Sequence, residues 1–292
     1  MGDITISKDV VYGNAGGGDA GGGDSGGRPL KLDVYRPDPA RRRRTALILV
    51  HGGAWVRGSK AMLEEHAKQL AGDGFTVFCP EYRLTGEAIW PAQIHDVKRA
   101  IRWVRSKAGE YGFDPDQIAF EGHSAGAHLV LLAAGTADDA RFDPPDADTS
   151  IPAHAAAVIA VYPPVLLYRG EPRPSGGNLA YGLKGAHVSD EAAALASPIN
   201  HVGPDFPPVM LLHGDADKVV PVSASLRFQE ALRKVGVRVD SHIFAGLPHG
   251  FVNQPQLREL AMTMVSGFLR RTVDEPANFV VEVQPRPEMN WQ

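Results

Sequence analysis

Residues 122–126, Gly-His-Ser-Ala-Gly, constrain this chain more than any other stretch, because they join a strand-like run, Ile118-Ala119-Phe120-Glu121, directly to an alanine- and leucine-rich run over 125–134. A strand that turns into a helix within a few residues brings the two backbones into contact. Glycines on either side of the turn remove the Cβ atoms that would keep them apart. The serine between them is left on a cramped turn with its hydroxyl exposed, and the helix N-terminus points at it. The G-x-S-x-G pattern therefore predicts a strand–turn–helix unit and makes Ser124 the candidate nucleophile.

A serine hydroxyl is a poor nucleophile unless a histidine takes its proton, and that histidine needs a carboxylate to fix its tautomer and stabilise the imidazolium. Candidates for both follow downstream. The apolar run Pro208-Val209-Met210-Leu211-Leu212 leads into His213-Gly214-Asp215-Ala216-Asp217, and the run from Val237 to Phe244 leads into Gly246-Leu247-Pro248-His249. Both runs read as strands, so each candidate lies just past a strand's C-terminal end, the edge of an open α/β sheet where sites assemble. His249 is the candidate base and Asp217 the candidate acid, with Asp215 a competitor two residues earlier. His242 falls inside the last strand and is a poor rival base. His123 and His128 flank the serine, and His128 lies one turn along the helix, where packing is its natural role.

Attack on a carbonyl places negative charge on its oxygen, and backbone N–H groups aimed there lower the barrier. The apolar run Ala46-Leu47-Ile48-Leu49-Val50 ends in His51-Gly52-Gly53-Ala54-Trp55, whose paired glycines allow a close backbone approach. The amides of Gly53 and Ala54, with that of Ala125 immediately after the serine, are the expected oxyanion donors. His51 is expected to buttress this loop.

Taken in order, Leu32-Asp33-Val34-Tyr35-Arg36-Pro37, His51 to Trp55, Pro80-Glu81-Tyr82-Arg83-Leu84, Gly122 to Leu129, Ser197-Pro198 and the Asp217 and His249 segments resemble the α/β-hydrolases of the carboxylesterase/lipase group, in the branch with an HGG-aromatic oxyanion motif. The resemblance covers most of the chain. It implies an α/β-hydrolase fold: a mostly parallel eight-stranded sheet with helices on both faces and a small cap insert. It also implies the chain order Ser, Asp, His, with Asp217 as the triad acid and Asp215 shaping the loop. Ala54 stands where the hormone-sensitive-lipase branch has a third glycine, which moves the resemblance toward feruloyl-esterase-like and arylformamidase-like members.

Strands alternate with helical stretches along the 292 residues, consistent with a single α/β-hydrolase domain. Residues 4–12 and 30–35 read as antiparallel leading strands around a Gly-rich flexible loop, 13–27. Helices are expected over 59–71, 91–108, 223–235 and 256–271. In the second of these Ile94, Val97, Ile101 and Val104 share one face. Residues 162–206 break the periodicity except near 190–196; they are the expected cap and substrate-pocket insert, with Trp55, Tyr162, Val165 and Leu166 as candidate pocket residues alongside Tyr168 and Tyr181. The stretch 272–292 carries three prolines and is expected to be an extended tail. The basic run Arg41 to Arg44 reads as a solvated loop.

Hydrophobic residues make up 43% of the chain, enough for a sizeable core, yet there is no apolar run long enough to span a membrane. No apolar leader is visible at the start, so the cytoplasm is the expected location. The single cysteine, Cys79, excludes an internal disulfide and is expected to be buried near a strand end. A net charge of −4 gives no reason to invoke nucleic acid. No His/Cys cluster or H-E-x-x-H implies a metal, and no cofactor is implied. The expected chemistry is two-step acyl transfer on a small-molecule ester, short-chain or aryl/feruloyl-type, with an arylformamidase or other amide hydrolase as the alternative. A non-catalytic binding protein of the same fold is the reading of another class. Nothing in the sequence fixes the oligomeric state.

Overall fold

The central strands of this chain are largely apolar runs such as Ala46-Leu47-Ile48-Leu49-Val50, a pattern that only a sheet covered on both faces can bury. The computed structural model describes residues 3–16, 27–167, 182–185 and 189–280. Its strands are β1 (Thr5–Asn14), β2 (Pro29–Arg36), β3 (Ala46–Val50), β4 (Thr76–Pro80), β5 (Ile118–His123), β6 (Ala157–Val161), β7 (Val209–Gly214) and β8 (Val239–Phe244). The helices are α1 (Glu64–Gly72), α2 (Ala92–Ser106), α3 (Ala108–Tyr111), α4 (Ala125–Gly135), α5 (Asp190–Leu195), α6 (Ser223–Lys234) and α7 (Pro255–Leu269). Every residue of β3, β4, β5, β6 and β7 is buried. Among the described residues the eight strands form one sheet in the order β1-β2-β4-β3-β5-β6-β7-β8, antiparallel for the first two pairings and parallel thereafter.

Successive side chains of a strand point to opposite faces, and the core divides accordingly. On β3, Ala46, Ile48 and Val50 join one cluster with Ile94, Val97 and Ile101 of α2, Leu129 to Ala133 of α4, and Phe228 and Leu232 of α6. Leu47 and Leu49 join the other, with Leu63, Ala67 and Leu70 on and beside α1 and with Met262, Val265 and Phe268 of α7. The helices thus cover both faces, as the alternation of elements predicts.

The strand order also sets where a site can form. The chain leaves β3 through α1 to β4 on one side, then returns across β3 through α2 to β5 on the other. The loops at the C-terminal ends of adjacent β3 and β5 therefore depart toward opposite faces and open a crevice between them, the usual place for a ligand in an open α/β sheet. The loops after β7 and β8 leave from the same edge, because those strands run parallel to β5 and β6.

Several boundaries differ from expectation. The first helix opens with a 3₁₀ turn, Lys60–Leu63, before α1, and β1 extends through Asn14, which pairs with Pro29. Residues 17–26 of the Gly-rich stretch, and Tyr168 and Tyr181 of the insert, lie outside the described residues. The expectation of extended backbone from Thr272 is corrected: a π-helical turn, Arg270–Asp274, and a 3₁₀ turn, Pro276–Phe279, carry the chain on from α7. There the Thr272 hydroxyl donates to Phe268 O at 2.6 Å and Arg43 Nη1 reaches Asp274 at 2.6 Å, so the turn is tied to the body of the fold. Residues 281–292 are not among those described. Cys79 is buried within β4. No helix among the described residues is long and apolar enough to cross a membrane.

Candidate active site

Ser124 follows the last residue of β5 and precedes the first residue of α4, with φ 54° and ψ −116°. An L-residue held there costs on the order of 1–3 kcal/mol. The surrounding contacts impose it. The Ser124 amide donates to Val161 O at 2.9 Å, tying the turn to β6, and Ser124 O accepts from the His128 amide at 3.0 Å, starting the helix. A Cβ on Gly122 would sit 2.4 Å from Gly126 C, and one on Gly126 would sit 2.1 Å from Val50 O. Both glycines are thus required by direct backbone contact, the first between strand and helix, the second between helix and β3.

The Ser124 hydroxyl donates to His249 Nε2 at 3.0 Å, and His249 Nδ1 donates to Asp217 Oδ2 at 2.6 Å. Three residues from separate loops, 32 and 125 positions apart along the chain, are brought into one hydrogen-bonded line. A carboxylate only accepts, so the His249 proton sits on Nδ1 and leaves Nε2 bare toward the serine, the tautomer that proton abstraction needs. His249 retains partial exposure, 20% of its side chain, while the Asp217 side chain is wholly enclosed.

Asp217 is held from all sides. Its Oδ1 accepts the amides of Val219 at 2.7 Å and Val220 at 2.9 Å, which follow it in the loop. Burial by itself would raise the pKa of this carboxyl, but hydrogen bonds from His213 and His249 outweigh burial and hold it well below the usual carboxylate range. It therefore remains charged. Asp215 faces elsewhere: its Oδ1 accepts the Gly246 amide at 2.6 Å, fastening the β7 loop to the β8 loop. His242 lies within β8.

The turn after β3 is unusual in having three successive residues at positive φ: Gly53 at 117°, Ala54 at 54° and Trp55 at 62°. Gly53 O accepts the amides of Val56 and Arg57, both at 3.1 Å, which closes the turn. The amides of Gly53 and Ala54 have no backbone acceptor among the described residues, and Ala125 stands at the first position of α4, where helical amides have no partner within the helix. A Cβ on Gly52 would lie 2.8 Å from His123 O, so this turn packs directly on the Ser124 elbow. His51 is buried, stacks on Tyr82 at 4.5 Å and lies 2.7 Å from Gly52 O through Nδ1; burial pushes its pKa down. The Tyr82 hydroxyl donates to His51 O at 3.1 Å, so the pair braces the turn.

The candidate pocket residues divide. Tyr162, at the exit of β6, places its ring 4.4 Å from that of His249 and 5.9 Å from that of Phe251, forming a wall beside the imidazole. Leu166 is half-buried. Trp55, 1% exposed, sits edge-on to His128, and Val165, 0% exposed, lies in the core, so neither presents a surface to solvent. His128 packs as its spacing predicts, with Nε2 2.7 Å from Ala196 O. His123 turns the other way, 3.1 Å from buried Glu121 Oε1. Two polar residues that sequence reasoning did not single out join the site: His213, whose Nε2 is 3.3 Å from Asp217 Oδ2, and Ser225 behind it. The available signal was a histidine near the end of an otherwise apolar buried strand. Among the described residues no group of three or more His, Cys, Asp or Glu side chains is arranged to hold a metal ion.

Comparison with known proteins gives matches over most of the chain. The family model BD-FAE matches residues 32–232. The esterase LipQ of Mycobacterium tuberculosis is 36% identical over 92% of the chain, which spans 61% of that relative's length. Among solved structures, the propionate-bound esterase 2 of the planctomycete Thermogutta terrifontis superposes with a TM-score of 0.75 at 27% identity, covering 95% of this chain and 96% of that one. A truncated carbohydrate esterase from gut microbiota gives 0.76 at 29% identity, covering 92% and 96%.

Proposed function

The chain belongs to the BD-FAE family of α/β-hydrolase esterases, and from that premise we propose that it is a serine hydrolase cleaving small carboxylic esters through an acyl-enzyme. The observation that carries this reading is the line Ser124–His249–Asp217, with Oγ to Nε2 at 3.0 Å and Nδ1 to Oδ2 at 2.6 Å. His249 takes the Ser124 proton as Oγ attacks the ester carbonyl, and Asp217 stabilises the imidazolium. The carbonyl oxygen, now an anion, turns toward the amides of Gly53, Ala54 and Ala125, each such donor contributing about 2.7–4 kcal/mol when measured by removal. The tetrahedral intermediate collapses, His249 protonates the leaving alcohol, and the acyl group stays on Ser124. Water then enters, gives its proton to His249 and releases the acid.

A short acyl group is favoured. Propionate is seen with the Thermogutta esterase, and Tyr162 lies close against His249, narrowing the space beside the base. The insert over 162–206 is proposed as a cap that sets acyl or leaving-group preference. Gly182 from this insert lies close enough to the oxyanion turn that a Cβ there would be 2.8 Å from Ala54 O.

The test is hydrolysis of a p-nitrophenyl ester series from acetate to dodecanoate, with methyl ferulate and N-formylkynurenine in parallel and Ser124→Ala as the blank. Turnover of short esters with loss of nearly all activity in the blank is the expected outcome. Cleavage of the formamide alone would replace the ester by an amide as the substrate. Equal rates for wild type and blank on every substrate would end the catalytic reading and leave a binding protein of this fold.

A further inference from the structure

His213, the penultimate residue of β7, is fully enclosed, yet it touches the triad acid. Its Nε2 lies 3.0 Å from Val220 O and 3.3 Å from Asp217 Oδ2, while its Nδ1 lies 2.7 Å from Ser225 Oγ on the first turn of α6. A carbonyl oxygen can only accept, so Nε2 carries the proton and shares it between Val220 O and Asp217 Oδ2. Nδ1 is then bare and accepts the Ser225 hydroxyl proton. Both ring nitrogens and the hydroxyl are satisfied in a single arrangement.

The consequence lies at Asp217. An ionised carboxylate offers about four acceptor sites. Here each is directed at a donor: the amides of Val219 and Val220 on Oδ1, and the imidazoles of His249 and His213 on Oδ2. The oxygen that holds the base is thus shared with a second, non-catalytic imidazole. We propose that His213, oriented by Ser225, is a positioning residue for the triad: it fixes the rotation of the Asp217 carboxylate and draws charge from Oδ2, so tuning the basicity of His249. This inference rests on the triad reading above and extends it by two residues, giving the chain Ser225–His213–Asp217–His249–Ser124.

The direction of the effect follows. Without the His213 donor, Oδ2 is more basic, the His249 imidazolium is better stabilised, and a larger fraction of the enzyme is protonated and idle at a given pH. The acidic limb of the kcat/KM profile then moves to higher pH. A side chain that merely filled space would lower the amount of folded protein without shifting that limb.

The experiment is a set of pH–rate profiles on p-nitrophenyl acetate for wild type, His213→Leu, His213→Gln and Ser225→Ala, with Ser124→Ala as the blank and folding checked by circular dichroism. His213→Leu is expected to lose roughly 10-fold in kcat, the scale of one hydrogen bond to a charged group, with KM little changed and the acidic limb displaced upward. Gln, whose amide N–H reaches the Nε2 position, is expected to restore most of the rate and return the limb. Ser225→Ala, which leaves the imidazole in place and only weakens its donor, is expected to shift the limb the same way by less; it serves as the test if His213→Leu does not fold. Unmoved limbs in the folded variants, with the blank inactive, would overturn the role of His213 and leave the triad intact. An active blank would overturn the triad reading itself.

Discussion

Replacing Asp217 by asparagine alters one atom of the carboxyl group, and the structure fixes which way the amide must face. The carboxylate takes two backbone amides on Oδ1, at 2.7 and 2.9 Å, and two imidazoles on Oδ2, at 2.6 and 3.3 Å. Asparagine presents one acceptor end and one donor end in the same outline. Backbone amides can only donate, whereas an imidazole can move its proton from one nitrogen to the other. The amide oxygen therefore stays with Val219 and Val220, and the NH₂ faces His249 Nδ1. That nitrogen must become an acceptor, its proton passes to Nε2, and Nε2 can no longer take the proton of Ser124. A wrong-tautomer substitution of this kind costs about 10⁴ in kcat, or about 5.4 kcal/mol on the barrier, with KM little altered because the substrate meets the same walls. The same NH₂ also confronts the His213 N–H, which keeps Val220 O at 3.0 Å as its acceptor, so the second N–H of the new amide is the buried donor left unmatched, at a cost of about 1–3 kcal/mol in stability. Asp215→Asn is the control: among the described residues its oxygen receives the Gly246 amide, which an amide oxygen accepts equally well, so the rate should stay within a few-fold of wild type. Steady-state kinetics on p-nitrophenyl acetate measure the loss, and ¹H–¹⁵N correlation of the His249 ring locates the proton. Retention of rate within about ten-fold by Asp217→Asn, or a larger loss in Asp215→Asn, would refute this reasoning.

Two further outcomes follow from the same geometry. In Gly126→Ala the new methyl would lie 2.1 Å from Val50 O and 2.6 Å from His51 O, so helix and strand must part; a loss of about 1–3 kcal/mol is expected, read as a lowered melting temperature together with reduced kcat, and an unchanged melting temperature would show that the elbow has slack. Stability should also fall with acid. Burial pushes His66 and His123 down to about 3 and His128 down to about 4, so these rings stay neutral in the fold while the unfolded chain takes up their protons as pH drops below the ordinary 6.5. Glu121, pushed up to about 7 by burial, acts in the opposite sense between that value and the ordinary 4.5. These four groups alone take up a net of about two protons on unfolding, so their share of the stability should drop by on the order of 2–3 kcal/mol per pH unit between about pH 6 and 4.5. Asp217, with its depressed value, contributes stability that persists above the usual carboxylate range and is lost only at still lower pH. Urea midpoints measured across this range check the sign, and a flat profile would contradict it.

The elbow was legible because its requirements are local. Gly122 and Gly126 are needed where a strand and a helix meet, and the ordered runs before Asp217 and His249 already mark strand ends. Sheet faces were legible for the same reason, since β3 alternates its side chains between two cores over five residues. What the chain hid depends on side chains meeting across the fold. That His213 would turn toward Asp217, and Ser225 toward His213, follows from the packing of α6 on the end of β7. The burial of Trp55 follows from His128 of α4 and Gly182 packing against its ring. The turns after α7 defeated a composition argument because ties such as Arg43 to Asp274 come from 231 residues away.

The most direct test of the Ser124–His249–Asp217 assignment is the site and stoichiometry of reaction with the organophosphate paraoxon, followed by p-nitrophenolate release, intact mass and peptide mapping on wild type, Ser124→Ala and His249→Ala. The expected result is one diethylphosphoryl group per chain on Ser124, with activity lost in step, slow labelling of His249→Ala and none of Ser124→Ala. A label on any other residue, full activity in the labelled protein, or Ser124→Ala reacting as fast as wild type would contradict it.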